Sequence, residues 1–335
     1  MTATYEQVPG LATEIYQKAV DKYLSDTYQI YKDGDTYYSP DQGGDAWNPS
    51  SRNSRYTDDQ LKQLVSEAQH KFADVPNLFD DFSMLPDPAG FDNDINMVSA
   101  VMDDLCAHAT ADPIQGISHP INTELSVMAG TTAGQPETAT VLQRWDGLAS
   151  EAFLRNFVTP FPDRTANQFT CASVLLNALK AEAELWKRAR LNIADIAEKT
   201  KNGLDHYDDC GKNDWTIGLS VVGAVVTIAS AIATGGTSLV VGLAAVGAAG
   251  TVASTVAGTT DSPPSNGYGG ESVEAVINSC RKAVADLKTA IKEQEQKVVD
   301  AMTKSVGIVE AHKSDFIAPR PSLADGSSVG QPCDN

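Results

Sequence analysis

Apolar side chains recur at helical intervals in two long stretches of this chain. In the first, Phe169, Leu175, Leu179, Trp186, Ile193, Ile196 and Leu204 alternate with Lys180, Lys187, Arg188 and Lys199. That pattern predicts one long amphipathic helix with Leu179, Trp186 and Ile193 on its apolar face. The second stretch, from about Ser272 to Phe316, places Val273, Ile277, Cys280, Val284, Leu287, Ile291, Val298, Met302 and Val309 at nearly seven-residue spacing, with Gln294 as the polar interruption. This is the signature of a helix that buries a narrow coiled-coil-like seam.

Between the two lies Trp215 to Thr260, a run without a single charged residue, divided by Gly235-Gly236. Each limb approaches the roughly 20 residues that carry a helix across a hydrocarbon core. Recurrent Ala, Gly, Ser and Thr would let the limbs approach closely in lipid. Val221-Val222 and Val240-Val241 also suit strands, but limb length and alanine content favour a helical hairpin. Two roles are open: insertion into a membrane, with Trp215, Val225, Gly235, Gly236 and Val246 marking the inserting segment, or a central apolar hairpin shielded by the flanking helices. In either case the chain reverses at Gly235, and Leu179, Trp186 and Ile193 are expected to face Val284, Leu287 and Ile291 in an antiparallel bundle.

The N-terminal part reads as shorter helices and polar loops. Leu11, Ile15, Ala19 and Leu24 follow Pro9-Gly10 and predict a helix to about Tyr31. Lys32 to Arg55 carries the turn signals Asp33-Gly34 and Gly43-Gly44 and is expected to be a long irregular loop. Thr57 is a predicted N-cap for a helix through Leu61, Leu64, Ala68 and Phe72, which ends before Pro76. A short piece surrounds Phe79 and Phe82. Ile95, Val98, Val101, Met102 and Leu105 then restart helical spacing to about His108, with Asp92-Asn93-Asp94 as its N-cap, and Pro113, Pro120, Gly130, Gly134 and Pro136 point to loop beyond it. The expected architecture is all-α, an elongated helical bundle with two long antiparallel helices joined by a hydrophobic hairpin. Its expected divisions are 1–136, N-terminal helices and polar loops; 137–316, the helical region holding the hairpin 215–260; and 317–335, a disordered tail rich in Pro, Gly and Ser.

Charge narrows the partners. The chain has 335 residues, and 44 acidic against 25 basic ones give a formal charge of -19, which repels a phosphate backbone and argues against nucleic acid. Met1 to Val20 has no basic region followed by an apolar core, so export, if it occurs, is expected without a cleavable signal peptide. Cys106, Cys171, Cys210, Cys280 and Cys333 show no CxxC spacing, so zinc is not expected. Cys210 and Cys280 flank the hairpin and would meet as a disulfide if the flanking helices are antiparallel and the compartment is oxidising.

Trp145-Asp146-Gly147, continued by Leu148, Ala149, Ala152 and Phe153, resembles the WXG family of type VII secretion proteins of Gram-positive bacteria and actinobacteria. In that family the motif marks a bend between two helices: the Trp anchors one helix and the Gly permits the turn. The resemblance spans roughly Glu137 to Tyr207, with the helix of Leu179, Trp186 and Ile193 following the bend. It departs from the family after that helix, where Tyr207 has Gly211 at the offset of the expected acidic residue. The resemblance implies a secreted or cell-surface helical protein that pairs with a helical secretion partner or with itself, with no cofactor. The long helix, apolar hairpin and second long helix are also similar in arrangement to α-helical pore-forming toxins, which implies insertion of 215–260 into a target membrane. A cytoplasmic scaffold with a buried hairpin is the third reading.

Catalytic chemistry finds no support. Asp103, Asp104, Cys106 and His108 crowd one stretch, and Asp205, His206, Asp208, Asp209 and Cys210 another. On a helix Asp104 and His108 share a face while Asp103 does not, which leaves two ligands and no metal site. Asp92-Asn93-Asp94 lacks the Gly and distal Glu of a calcium loop. Neither a phosphate-binding glycine loop nor a Gly-x-Ser-x-Gly elbow occurs, and His70, His119 and His312 sit in no nucleophile context. A non-enzymatic protein is expected.

Overall fold

The structure, a computed structural model, describes residues 3–39, 55–105, 147, 153, 161–207, 214–218 and 265–317. These residues are 81% helical, in five α-helices. In chain order they are α1 (Val8–Tyr28), β1 (Tyr31–Asp33), β2 (Thr36–Tyr38), α2 (Asp58–Lys71), α3 (Asp92–Leu105), α4 (Phe161–His206), β3 (Asp214–Gly218), β4 (Ser265–Gly269) and α5 (Val273–Ala311). Short 3-10 turns precede α1, follow α2 and α5, and lead into α3.

Local chemistry accounts for most of the boundaries. Thr57 caps α2 by accepting the backbone N–H of Gln60 at 3.3 Å, while the Gln60 side chain reaches back to the Thr57 N–H at 3.0 Å, which satisfies two donors that the first helical turn leaves open. α1 stops at Gln29, whose φ of +56° places it in the left-handed region and lets its N–H reach the carbonyls of Leu24 and Ser25. The segment expected to be irregular from Lys32 instead begins as a hairpin: β1 and β2 pair antiparallel with Tyr31 opposite Tyr38 and Asp33 opposite Thr36. Gly34, at φ +58° in the intervening turn, supplies the positive φ a tight reversal needs. The turn signal was present in Asp33-Gly34; the flanking strands are too short to show alternation.

The described chain divides into two compact units. One holds the described residues up to Asp87, those from Leu185 to Gly218, and those from Ser265 to Gln294; the other holds those from Pro88 to Glu184 and from Glu295 to Ile317. In the first unit, α1 buries Val8, Ala12, Ile15, Ala19, Val20 and Leu24 and meets the C-terminal part of α4 through Lys201–Glu14 at 2.6 Å and Lys18–Asp205. Tyr5 ties the turn after α2 to this assembly. Its hydroxyl donates to the Phe82 carbonyl and accepts from the Leu85 N–H at 2.9 Å, with the Arg190 guanidinium over its ring at 4.6 Å.

Three ion pairs join α5 to α2 and the turn behind it: Lys71–Glu274 at 3.0 Å, Asp74–Arg281 at 2.7 Å, and Asp81–Lys288. Their α5 members stand seven residues apart, in phase with the buried seam. Arg281 holds Asp74 with two parallel bonds, Nε to Oδ2 at 2.8 Å and Nη2 to Oδ1 at 2.7 Å, and these bonds keep the Asp74 carboxyl below its ordinary range. A depressed folded-state pKa contributes stability above the unfolded value, near 3.9, and loses it as pH falls through the folded one. Asp74→Asn is therefore expected to lower stability by about 0.5–1 kcal/mol at pH 7, because the pair is partly exposed. Denaturant titrations from pH 7 to pH 2.5 should show that difference shrink below about pH 4; a constant difference would assign the loss to something other than the charge.

In the second unit, α4 and the end of α5 are fastened by side chains of the first turns of α4. Arg164 donates to the Ser314 carbonyl at 3.2 Å, Asn167 to that of Asp315 at 2.9 Å, and Gln168 to that of Phe316 at 2.6 Å. Carbonyls that a helix end leaves unpaired are thereby satisfied. Met102 of α3 packs with Leu105, Ala172 and Leu176.

The long helices follow their predicted extents, but the burial phase of α4 differs from expectation. Val174, Ala178, Ala181, Leu185, Ala189, Ile193, Ile196, Ala197 and Leu204 are buried, whereas Leu179 and Trp186 are half-buried. Small residues make up much of the true face, and a search for large apolar side chains shifts toward its flank. In α5 the expected seam is buried from Val273 through Ile277, Cys280, Val284, Leu287 and Ile291 to Val298, with Gln294 buried among them; beyond it the expected Met302 and Val309 are half-buried, and Ala301 and Ser305 are the buried positions.

Candidate functional site

The uncharged segment is held by a two-stranded stem. β3 and β4 pair antiparallel, with Asp214 opposite Gly269, Trp215 opposite Tyr268, Ile217 opposite Asn266 and Gly218 opposite Ser265. Residues 219–264 thus leave the described fold at Gly218 and return at Ser265, positions that the pairing holds about 5 Å apart. Trp215 to Gly218, expected to open a helical limb, are strand. Trp215-Thr216-Ile217 is an aromatic and β-branched run that favours a pleated conformation, and that was the available signal. Ser265 to Gly269 is the partner strand. Its glycines and asparagine conceal it from any propensity argument, because cross-strand pairing decides its conformation.

The β4 foot of the stem is braced within the first unit, and the end of α4 is anchored there too, at Tyr207, seven residues before β3. On the α5 side, Gly270 follows β4 directly and lies against Ala275; a Cβ at Gly270 would sit 2.1 Å from the Ala275 Cβ and 2.9 Å from its carbonyl carbon. Ser272 then caps α5, its hydroxyl accepting the Ala275 N–H at 3.2 Å, and Glu274 in the first turn pairs with Lys71. On the α4 side, Tyr207 donates to Asp26 and its ring lies under the Lys22 ammonium at 5.3 Å. Asp205 pairs with Lys18 one turn earlier. The pairing brings the two ends of a long segment together beside the braced β4–α5 junction.

The remaining singled-out residues fall as follows. Gly147 has φ +107°, a region that L side chains avoid and a glycine turn uses. Trp145, Cys210, Val225, Gly235, Gly236 and Val246 lie outside the described residues. Cys280 is fully buried and free; burial pushes its thiol up to about 11 despite a hydrogen bond with Thr200 of α4. Asp205 and His206 do not converge on a common centre: Asp205 faces Lys18, and the His206 ring contacts the Asn202 carbonyl at 3.0 Å. Among the described residues no group of three potential ligands gathers to hold a metal ion, and no described helix is long and apolar enough to cross a membrane. Gly270 and Tyr268 were not singled out by sequence reasoning; a glycine between an aromatic strand and a helix cap was the only hint. Compared with known proteins, the chain matches no family model, no curated protein and no solved structure.

Proposed function

We propose that this is a non-catalytic helical protein of the type VII secretion class, acting by assembly and membrane contact, with the part of the uncharged run beyond the stem, 219–260, as the contacting segment. The observation that carries the reading is the β3–β4 stem, which brings together the chain on either side of the uncharged run. Such a stem suits delivery of a hairpin, and its antiparallel pairing between the facing ends of α4 and α5 supports two long antiparallel helices joined by that hairpin. The positive φ of Gly147 supports the Trp-x-Gly turn on which the family resemblance rests.

Flotation of the full chain with anionic liposomes tests the membrane part. The parent is expected to float, and Val225→Asp or Val246→Asp to lose binding by about 100-fold, since a charge at mid-membrane costs about 2.5–3.5 kcal/mol. Variants that stay folded and float like the parent would show that the segment is core. Release of a trapped dye by the parent would favour the pore-forming reading over contact alone. Export is tested separately in an actinobacterial host: the protein is expected in the medium with its N-terminus intact, and Gly147→Val is expected to abolish that export.

A further inference from the structure

The second unit carries an apolar groove of about 550 Å³. Its walls come from α3 (Val101, Leu105), the first half of α4 (Cys171, Leu175) and the last turns of α5 (Val306, Val309). Val101 and Val306 are each 51% exposed and Leu175 is 40% exposed, so among the described residues this apolar surface is uncovered. Surface of that kind carries a cost in water that a soluble chain normally removes by covering it.

We propose that the occupant is this chain's own stretch 141–157, containing the Trp-x-Gly motif. The connection between α3 and α4 starts and ends near the groove: residue 106 follows the wall residue Leu105, and α4 begins at Phe161, about two turns before its first wall residue, Gln168. The stretch supplies large apolar side chains, Val141, Leu142, Trp145, Leu148, Phe153 and Phe157, of which Phe153 is helical and half-buried. Size agrees. An apolar cavity of about 150 Å³ accommodates one benzene, so a groove of 550 Å³ has room for about three rings, and Trp145, Phe153 and Phe157 supply them. Tethering at both ends gives the stretch an effective concentration on the order of millimolar, which a free partner would have to exceed. Burial also raises the Cys171 thiol above its ordinary value, which fits a thiol at the base of an apolar groove. The inference is independent of the type VII reading, because it rests on where the connection starts and ends.

A photoreactive benzoylphenylalanine in place of Val306, a half-exposed wall position, tests it in the full-length chain. Irradiation followed by digestion and mass spectrometry is expected to give cross-links to peptides from 141–157 in a species of monomer size. Cross-links in a dimer-sized species would assign the groove to a second copy, and cross-links only elsewhere in the chain, or none, would equally overturn the proposal. Alkylation of the native Cys171 gives a second readout. Phe153→Asp with Phe157→Asp is expected to speed it at least ten-fold, and an unchanged rate in the folded variant would contradict occupancy. Protection of Cys171 only after a fatty acid is added would make the groove a lipid site instead.

Discussion

Truncating Leu287 to alanine is expected to lower the unfolding free energy by about 3–4 kcal/mol, within the usual span for a buried leucine. Leu287 is fully buried midway along α5. Val273 and Cys280 precede it at seven-residue steps and Gln294 and Ala301 follow, so the cavity would open in a seam whose neighbouring seven-residue positions include a small side chain and a polar one. Gln294 is itself buried with its Oε1 unpartnered, and a seam that already carries this penalty has little else to offset a missing isobutyl group. Urea titration should show a lower midpoint at unchanged slope. Val299→Ala, on the exposed side of the same helix, is the control and should stay within about 0.5 kcal/mol of the parent. A Leu287→Ala loss below about 1 kcal/mol would mean that the seam closes around the gap.

Gly270→Ala is the second large effect, expected at about 2–3 kcal/mol, the upper range for forcing a methyl into occupied space. The added Cβ meets Ala275 at three atoms, two of them backbone, so no rotamer change relieves it and the junction of β4 with α5 must move. Hydrogen exchange should report the displacement as faster exchange at the β3–β4 amides and in the first turn of α5. Pairing Gly270→Ala with Ala275→Gly removes the nearest contact but leaves the backbone ones, and glycine inside a helix costs about 1 kcal/mol. The double variant is therefore expected to recover less than half of the loss. Full stability of Gly270→Ala would show that the stem tolerates movement at its foot.

These cases also show what sequence can and cannot reveal. The α5 seam was legible as far as Val298 because its apolar side chains there are large and its period stays near seven; past it, small Ala301 and Ser305 are buried in place of Met302 and Val309. The α4 face was not, because Ala178, Ala181 and Ala189 define it while the larger Leu179 and Trp186 stand at its edge. Helix caps such as Thr57 could be read because a single side chain makes the bond. The β4 strand could not, since Ser265 to Gly269 become a strand only by pairing with residues 47 to 55 positions earlier. Trp145 and most of the apolar segment were legible only as pattern, and lie outside the described residues.

The row of ion pairs on α5 has a further consequence when considered as a code. A seam that repeats every seven residues looks almost the same after a slip of one repeat, so its apolar contacts alone specify position poorly. The charges break the degeneracy because the first pair is reversed in sign: Glu274 is the acid where Arg281 and Lys288 are bases, and Lys71 is the base where Asp74 and Asp81 are acids. Sliding α5 one repeat one way sets Glu274 against Asp74. Sliding it the other way sets Arg281 against Lys71 and Glu295 against Asp81. Pairs that each contribute no more than about 1 kcal/mol to stability thus act as a key, penalising both misalignments and leaving one frame in which every acid meets a base.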